Sequence, residues 1–235
     1  MILLALDTAT PSCSVALLKD QRVMGELRRQ GGETHSRHLM TMVDDLLGKC
    51  QVAISNIDAL AVTRGPGSFT GIRIGMATAK GLSAALGIPL VGVSSLDALA
   101  HQAPESAKLR CCLVDARKQE VYCGIYRSDG RGVIRQVQEP FVAGPDQVAA
   151  MIKEPCVLIG DGALLYRQRI QERLAPLARF APEADHQIRA ATVARIGLKR
   201  MACVADEAGN ELVPLYIRKS DAELSLKLDK KSRFL

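Results

Sequence analysis

Two apolar periods, one of two residues and one of about 3.6, take turns along this chain, and their order sets the expected fold. Ile2 to Leu6 is an apolar run that ends at Asp7-Thr8-Ala9-Thr10, turns through Pro11 and returns as the alternating segment Cys13 to Leu18. A turn at Lys19-Asp20-Gln21 leads into a third strand near Val23 to Arg28, so the pattern predicts an antiparallel meander. Beyond Gly31 and Gly32 the period changes. Leu39, Met40, Val43, Leu46, Leu47 and Cys50 share one helical face, with Met42 beside them, in a helix that Thr34 or Ser36 can begin. The run Ile57 to Thr63 predicts a strand, Gly65-Pro66-Gly67 a tight turn, and Ser68 or Thr70 the cap of a long helix that reaches Gly87. A strand at Leu90 to Val93 and a helix from Ser94 to about Gln102 follow.

After a linker at Pro104 to Lys108 the pattern starts again. Leu109 to Val114 reads as a strand with Cys111 and Cys112 on opposite faces, Asp115 to Lys118 as a turn, and Glu120 to Arg127 as the return strand. The Asp129-Gly130 turn leads to a third strand ending at Val137. A helix over Asp146 to Lys153, a strand at Cys156 to Ile159, the loop Gly160-Asp161-Gly162 and a helix from Ala163 to about Leu174 come next. A last helix is expected near Ala191 to Glu207, and Val213 to Arg218 is extended around Pro214. Strand, aspartate, turn, strand occurs at Asp7 and again at Asp115, a weak internal repeat that points to two lobes on one design. The alternation predicts an α/β protein with helix-covered sheets. Its expected units are a first lobe over 1–103, a smaller second lobe over 104–190, a helix and extended segment over 191–218 packing back on both, and a tail over 219–235.

Along the long helix Gly71, Gly75, Ala79, Ser83 and Gly87 are all small and recur every four residues, close to one stripe. A glycine costs a helix about 1 kcal/mol relative to alanine, so something must pack against that stripe. It is either the lobe's own sheet or a helix from another protein.

Composition narrows the function classes. The 235 residues are 48% hydrophobic and 24% charged, as in an ordinary globular protein, and no apolar run approaches the length needed to span a bilayer. With seven cysteines and no CxxC pair, a reducing compartment, and so the cytoplasm, is expected. The net charge is +6; from Arg218 onward six basic residues face three acidic ones, a segment that is either a solvated end or an RNA-binding site. Aromatics at 3% and the lack of tryptophan leave little to stack on single-stranded bases. Asp7 with the Thr8 and Thr10 hydroxyls could cradle a metal-bound phosphate, or Asp7 could merely stabilise its turn. His35 and His38 lack further ligands at helical spacing, so no metal site is expected. GPGSFTG is one residue too long for a dinucleotide fingerprint, and neither a P-loop nor an HExxH helix occurs.

A more specific signal comes from LALDTATPSCSVAL, GGETHSRHLMTMVDDLL, VPLYIR, and above all ALAVTRGPGSFTGIRIGMATAKGLSAALGIPLVGVSSLDALA. These blocks closely resemble the bacterial TsaB (YeaZ) family, the noncatalytic paralogues of the transferase TsaD. The resemblance implies the two-lobed fold shared by actin, sugar kinases and heat-shock ATPases. It also implies a scaffold required with TsaD and the ATPase TsaE for threonylcarbamoyl transfer to the N6 amine of the adenosine 3′ of the anticodon, in tRNAs reading codons that begin with A. TsaD carries two histidines spaced i, i+4 after the equivalent of Gly92-Val93; this sequence has Ser95 and Leu99 there, neither a substitute ligand. By the same resemblance the partner surface is formed by His35, His38, Leu39, Met42, Val43, Leu46, Gly71, Ile72, Gly75, Met76, Ala79 and Ser83. Bulky substitutions at Gly75 or Ala79 are then expected to weaken TsaD binding and spare the fold. Asp7, Thr8, Gly160 and Asp161 match places where the superfamily holds a nucleotide. No intrinsic cofactor is expected, although ATP or ADP could lodge at the interface of the complex. TsaD as heterodimer partner, TsaE, a homodimer when alone, and tRNA held through the complex are the implied partners. The competing classes are a small-molecule kinase or ATPase of the same fold and a stand-alone RNA-binding protein.

Overall fold

The computed structural model describes residues 1–31, 35–203 and 212–218. The first half contains β1 (Ile2–Asp7), β2 (Ser12–Lys19), β3 (Arg22–Gln30), α1 (His35–Cys50), β4 (Ala59–Gly65), α2 (Phe69–Leu86), β5 (Leu90–Ser94) and α3 (Ser95–Gln102). The second contains β6 (Leu109–Asp115), β7 (Val121–Ser128), β8 (Ile134–Gln136), β9 (Phe141–Ala143), α4 (Pro145–Met151), β10 (Cys156–Ile159), α5 (Asp161–Leu165), α6 (Arg167–Leu174), β11 (Ala178–Phe180) and α7 (Ala190–Cys203).

One sheet runs β3-β2-β1-β4-β5 and the other β11-β10-β6-β7-β8, with β9 also paired to β7. In the first, β1 is antiparallel to β2 and parallel to β4; in the second, β6 is antiparallel to β7 and parallel to β10. Read from its far end, the second sheet therefore repeats the first strand for strand. The repeat expected from Asp7 and Asp115 is a repeat of topology, with both aspartates closing equivalent central strands. Parallel neighbours need a crossover, and α1 and α2 supply the two in the first sheet.

Adjacent residues of β3 show how that sheet is covered. A Cβ on Gly25 would meet Cys50 Sγ and Leu46 Cδ1 of α1 at 2.9 Å, so a side chain here would have to push those two chain ends aside. Glu26, on the opposite face, accepts hydrogen bonds from the Arg189 guanidinium at 3.1 Å and the Ala191 amide at 2.9 Å. Helices α1 and α7 therefore sandwich the sheet. Ser14 accepts from the Ala190 amide at 2.9 Å and donates to the Ile188 carbonyl at 3.0 Å. The open amides at the start of α7 are thus capped by strands β2 and β3.

Strand β6 divides two apolar clusters. Cys111 and Leu113 face Val148, Ile170 and Leu174, while Cys112 and Val114 join the larger core with Leu96 and Leu99 of α3. The adjacent cysteines point apart as their spacing predicts, and Cys13, Cys50, Cys111, Cys112, Cys123 and Cys156 are free thiols. The expected helix from Ala163 instead starts at Asp161 and breaks at Tyr166, where φ −107° and ψ 20° separate α5 from α6. The three-residue strands β9 and β11 were not expected from the pattern. Thr34 as a helix start, the end of the last helix toward Glu207 and the basic tail over 219–235 lie outside the described residues. No described helix is long and apolar enough to cross a membrane.

Candidate functional site

Asp7 ends β1 and is fully buried. Its Oδ1 accepts from the Thr63 hydroxyl at 2.7 Å and the Ala9 amide at 3.2 Å, while Oδ2 has no hydrogen-bond partner. Burial pushes the carboxyl up to about 7, against the lowering by these two donors, and the charge of Asp161 adds to the rise. Asp161, the first residue of α5, accepts from its own helix at Gly162 N, 2.9 Å, and from Asp115 N at 3.2 Å. Burial, followed by the neighbouring Asp115 charge among the raising effects, takes it to about 6. Gly160 before it has φ +112°, and a Cβ there would strike the Leu113 carbonyl. Asp7 and Asp161 are thus brought within electrostatic reach of each other across the lobes.

The surrounding hydroxyls are already committed. Thr8 is fully buried and donates to the Gly71 carbonyl at 2.7 Å; Thr10 shares a hydrogen bond with Ser12 at 2.9 Å, and its carbonyl meets His35 Nε2 at 2.9 Å. As the chain is folded here, Asp7 and Thr8 offer a nucleotide no exposed atom, and the threonine hydroxyls expected to meet a phosphate instead pin the loop. The arrangement therefore does not fit a nucleotide cradle built from Asp7, Thr8, Gly160 and Asp161. Among the described residues no cluster of three or more histidine, cysteine or carboxylate side chains is placed to hold a metal ion.

What pins that loop from the other side is the glycine stripe of α2. Ser68 caps the helix by accepting from Gly71 N at 3.2 Å. A Cβ on Gly71 would collide with the Thr8 carbonyl and one on Gly75 with the Thr8 hydroxyl. Ala79 is fully buried in the core, as are, within a few per cent, Ile72 and Met76. Of the residues expected to meet a partner, then, Gly71, Ile72, Gly75, Met76 and Ala79 face this chain's own loop and sheet. Leu39, Met42, Val43 and Leu46 likewise lie inward from α1. Only His35, His38 and Ser83 of that set keep partial exposure, and Ser83 donates to the Ile88 carbonyl at 2.6 Å. Bulky residues at Gly75 or Ala79 would consequently disturb folding before docking. Burial forces this correction: between its two readings, the stripe takes the internal one.

The opposite face of α2 carries another set. Thr70, Arg73, Ala77, Lys80, Gly81 and Ala84 are exposed, and a Cβ on Gly81 would meet nothing within 4 Å. At the helix start Phe69 is 40% exposed, stacks on Tyr216 with centroids 5.3 Å apart, and lies under the Arg73 guanidinium at 3.7 Å. Arg73 also donates to the Tyr216 hydroxyl at 3.1 Å. Leu215 N donates to the Arg64 carbonyl at 2.7 Å and holds that segment in place. On neighbouring α1, Met40 is 41% exposed. Phe69, Arg73 and Tyr216 escaped the sequence reading, because nothing local says that residues 147 apart will stack. The usable signal was the i, i+4 spacing of Phe69 and Arg73 in a chain with few aromatics.

Comparison with known proteins agrees with this architecture. Residues 25–226 match the family model described as TsaD, tRNA N6-adenosine threonylcarbamoyltransferase. The TsaB protein of Bacillus subtilis, named for tRNA threonylcarbamoyladenosine biosynthesis, is 34% identical over 95% of this chain and 96% of its own length. The solved structure of YeaZ from Pseudomonas aeruginosa aligns at TM-score 0.75 and 34% identity, over 92% of this chain and 99% of that one. A ROK hexokinase from Thermus thermophilus shares the fold at TM-score 0.50 and 14% identity, over 86% of this chain and all of that one. The two repeated sheets are those of the actin, sugar kinase and heat-shock ATPase fold, and the chain belongs to the TsaB (YeaZ) family of tRNA threonylcarbamoyladenosine biosynthesis proteins.

Proposed function

We propose that this chain is a noncatalytic scaffold subunit in tRNA threonylcarbamoyladenosine synthesis, docking a TsaD transferase that works with the ATPase TsaE. The observation that carries the reading is the pair Ser95 and Leu99. They sit one turn apart in α3, where the TsaD resemblance would place two metal-binding histidines, and both are fully buried. A leucine side chain offers no ligand atom, and a lone serine hydroxyl is a poor one. The chain matches the transferase's family model over residues 25–226 but offers no such pair of donors at these two positions.

Docking falls to the outward face of α2 and the adjoining Met40 of α1. Small residues at Ala77, Gly81 and Ala84 let a second helix approach closely, and the Phe69–Arg73–Tyr216 cluster supplies the aromatic and arginine anchors that concentrate binding energy at interfaces. A second copy of this chain uses the same face when TsaD is absent, and tRNA is held by the assembly. The test is copurification with TsaD after Gly81→Trp or Ala77→Arg. Both positions are exposed and Gly81 faces open space, so the melting temperature should hold while TsaD recovery drops about tenfold or more. Undiminished recovery with both variants would refute the surface.

A further inference from the structure

At the end of β1 and β6 away from Asp7 and Asp115 lies a cavity of about 810 Å³, walled by the β2–β3 turn, the end of α3, β6, the β7–β8 hairpin and α7. Its charge is lopsided. Arg110, Arg131, Arg195 and Lys199 line it with His101, against the single carboxylate of Glu105. Arg110 is 3% exposed and donates to the carbonyls of Ala107 at 3.2 Å, Ala100 at 2.6 Å and Pro104 at 3.3 Å. Those bonds use three of the five N–H groups of a guanidinium, and no carboxylate pairs with it among the described residues. Arg131, Arg195 and Lys199 also have no ion pair there. A buried cation without a counterion is costly, and burial indeed lowers the pKa of Arg110. His101 is lowered too, by burial first; Asp97 raises it, and the charges of Lys199 and Arg110 add to the lowering.

We propose that this cavity binds a phosphate-bearing small molecule, its anionic group received by Arg110, Arg195 and Lys199 and its aliphatic part resting on Ile134, Ile196 and Leu198. The volume falls in the range of small-molecule sites, and charge-assisted bonds from arginine suit phosphate oxygens. No Phe, Tyr or Trp lines it, which favours a phosphorylated sugar or acyl group over a stacked nucleobase. The cations and apolar residues line one partly open cavity rather than a long track, which favours a small ligand over the phosphate backbone of an RNA.

Calorimetric titration of the full chain with inorganic pyrophosphate at fixed ionic strength tests this. One saturable site is expected, weakened about tenfold or more by Arg195→Glu with Lys199→Glu, both exposed on α7 and free of packing duties. The pair Lys153→Glu with Arg179→Glu, exposed cations outside the cavity, should bind as the parent does, and circular dichroism should be unchanged in both. Three results would overturn the proposal: no saturable binding, equal loss in the two variants, or a tRNA transcript held through Arg195 and Lys199 with no affinity for pyrophosphate.

Discussion

Asp7 carries an unpartnered carboxylate oxygen inside the first lobe, and a pH signature follows. Its carboxyl is raised from the usual 3.8 to about 7. Between those values the folded chain holds a proton that the unfolded chain has released, so the contribution of Asp7 to stability declines as pH rises through that window and stays low above it. Asp7→Asn removes the ionisation while keeping an acceptor for Thr63 and Ala9. Denaturant midpoints from pH 4 to 8 should show the variant gaining on the parent as pH rises, by roughly 2–4 kcal/mol in all; a constant difference would mean that Asp7 is not the titrating group. Gly75 gives a second residue-level contrast. Gly75→Ala should lower stability by about 1–3 kcal/mol, since its new methyl meets the Thr8 hydroxyl. Gly81→Ala, with open space, should raise it by up to about 1 kcal/mol through helix propensity. Sequence alone marked both glycines as costly to a helix. It could not separate them, because the cost is offset at one by a loop that arrives from 67 residues earlier in the chain.

Elements were legible where their pattern was long. The meander β1 to β3, helix α1 and helix α2 lie within about two residues of their expected bounds, because alternation or helical spacing persists over many positions and Ser68, Ser94 and Gly87 provide end signals. Strands β9 and β11 have three residues each, too few for any period, and exist because β7 and β10 offer them free edges. The face of α2 was the larger misreading. Apolar spacing says that one face is buried, whereas what covers it is decided by the Thr8 loop and the sheet beneath. The surface proposed for a partner is therefore the milder stripe through Ala77 and Gly81, and light scattering offers a further check on it. If the homodimer uses this face, Gly81→Trp should yield a monomer, whereas an unchanged dimer would assign self-association to another surface.

For the whole molecule, the two lobes are joined by a clasp around Asp97 of α3. The Tyr126 hydroxyl donates to it at 2.8 Å and Arg200 at 2.6 Å, while Arg200 also reaches the Gly92 carbonyl at 2.7 Å. Strands β5 and β7 and helices α3 and α7 thereby share one polar hub. Asp97→Ala leaves Arg200 and Tyr126 short of an acceptor and should cost about 2–4 kcal/mol, readable as a lower unfolding midpoint; a loss under about 0.5 kcal/mol would show the hub to be solvated rather than structural. Such a hub accords with the proposed scaffold role. The most direct measurement is reconstituted threonylcarbamoylation of a tRNA transcript with purified TsaD, TsaE and this chain. Transfer should require this chain alongside TsaD, fall with Gly81→Trp, and be absent from this chain alone; modified tRNA formed by this chain without TsaD would contradict the scaffold account.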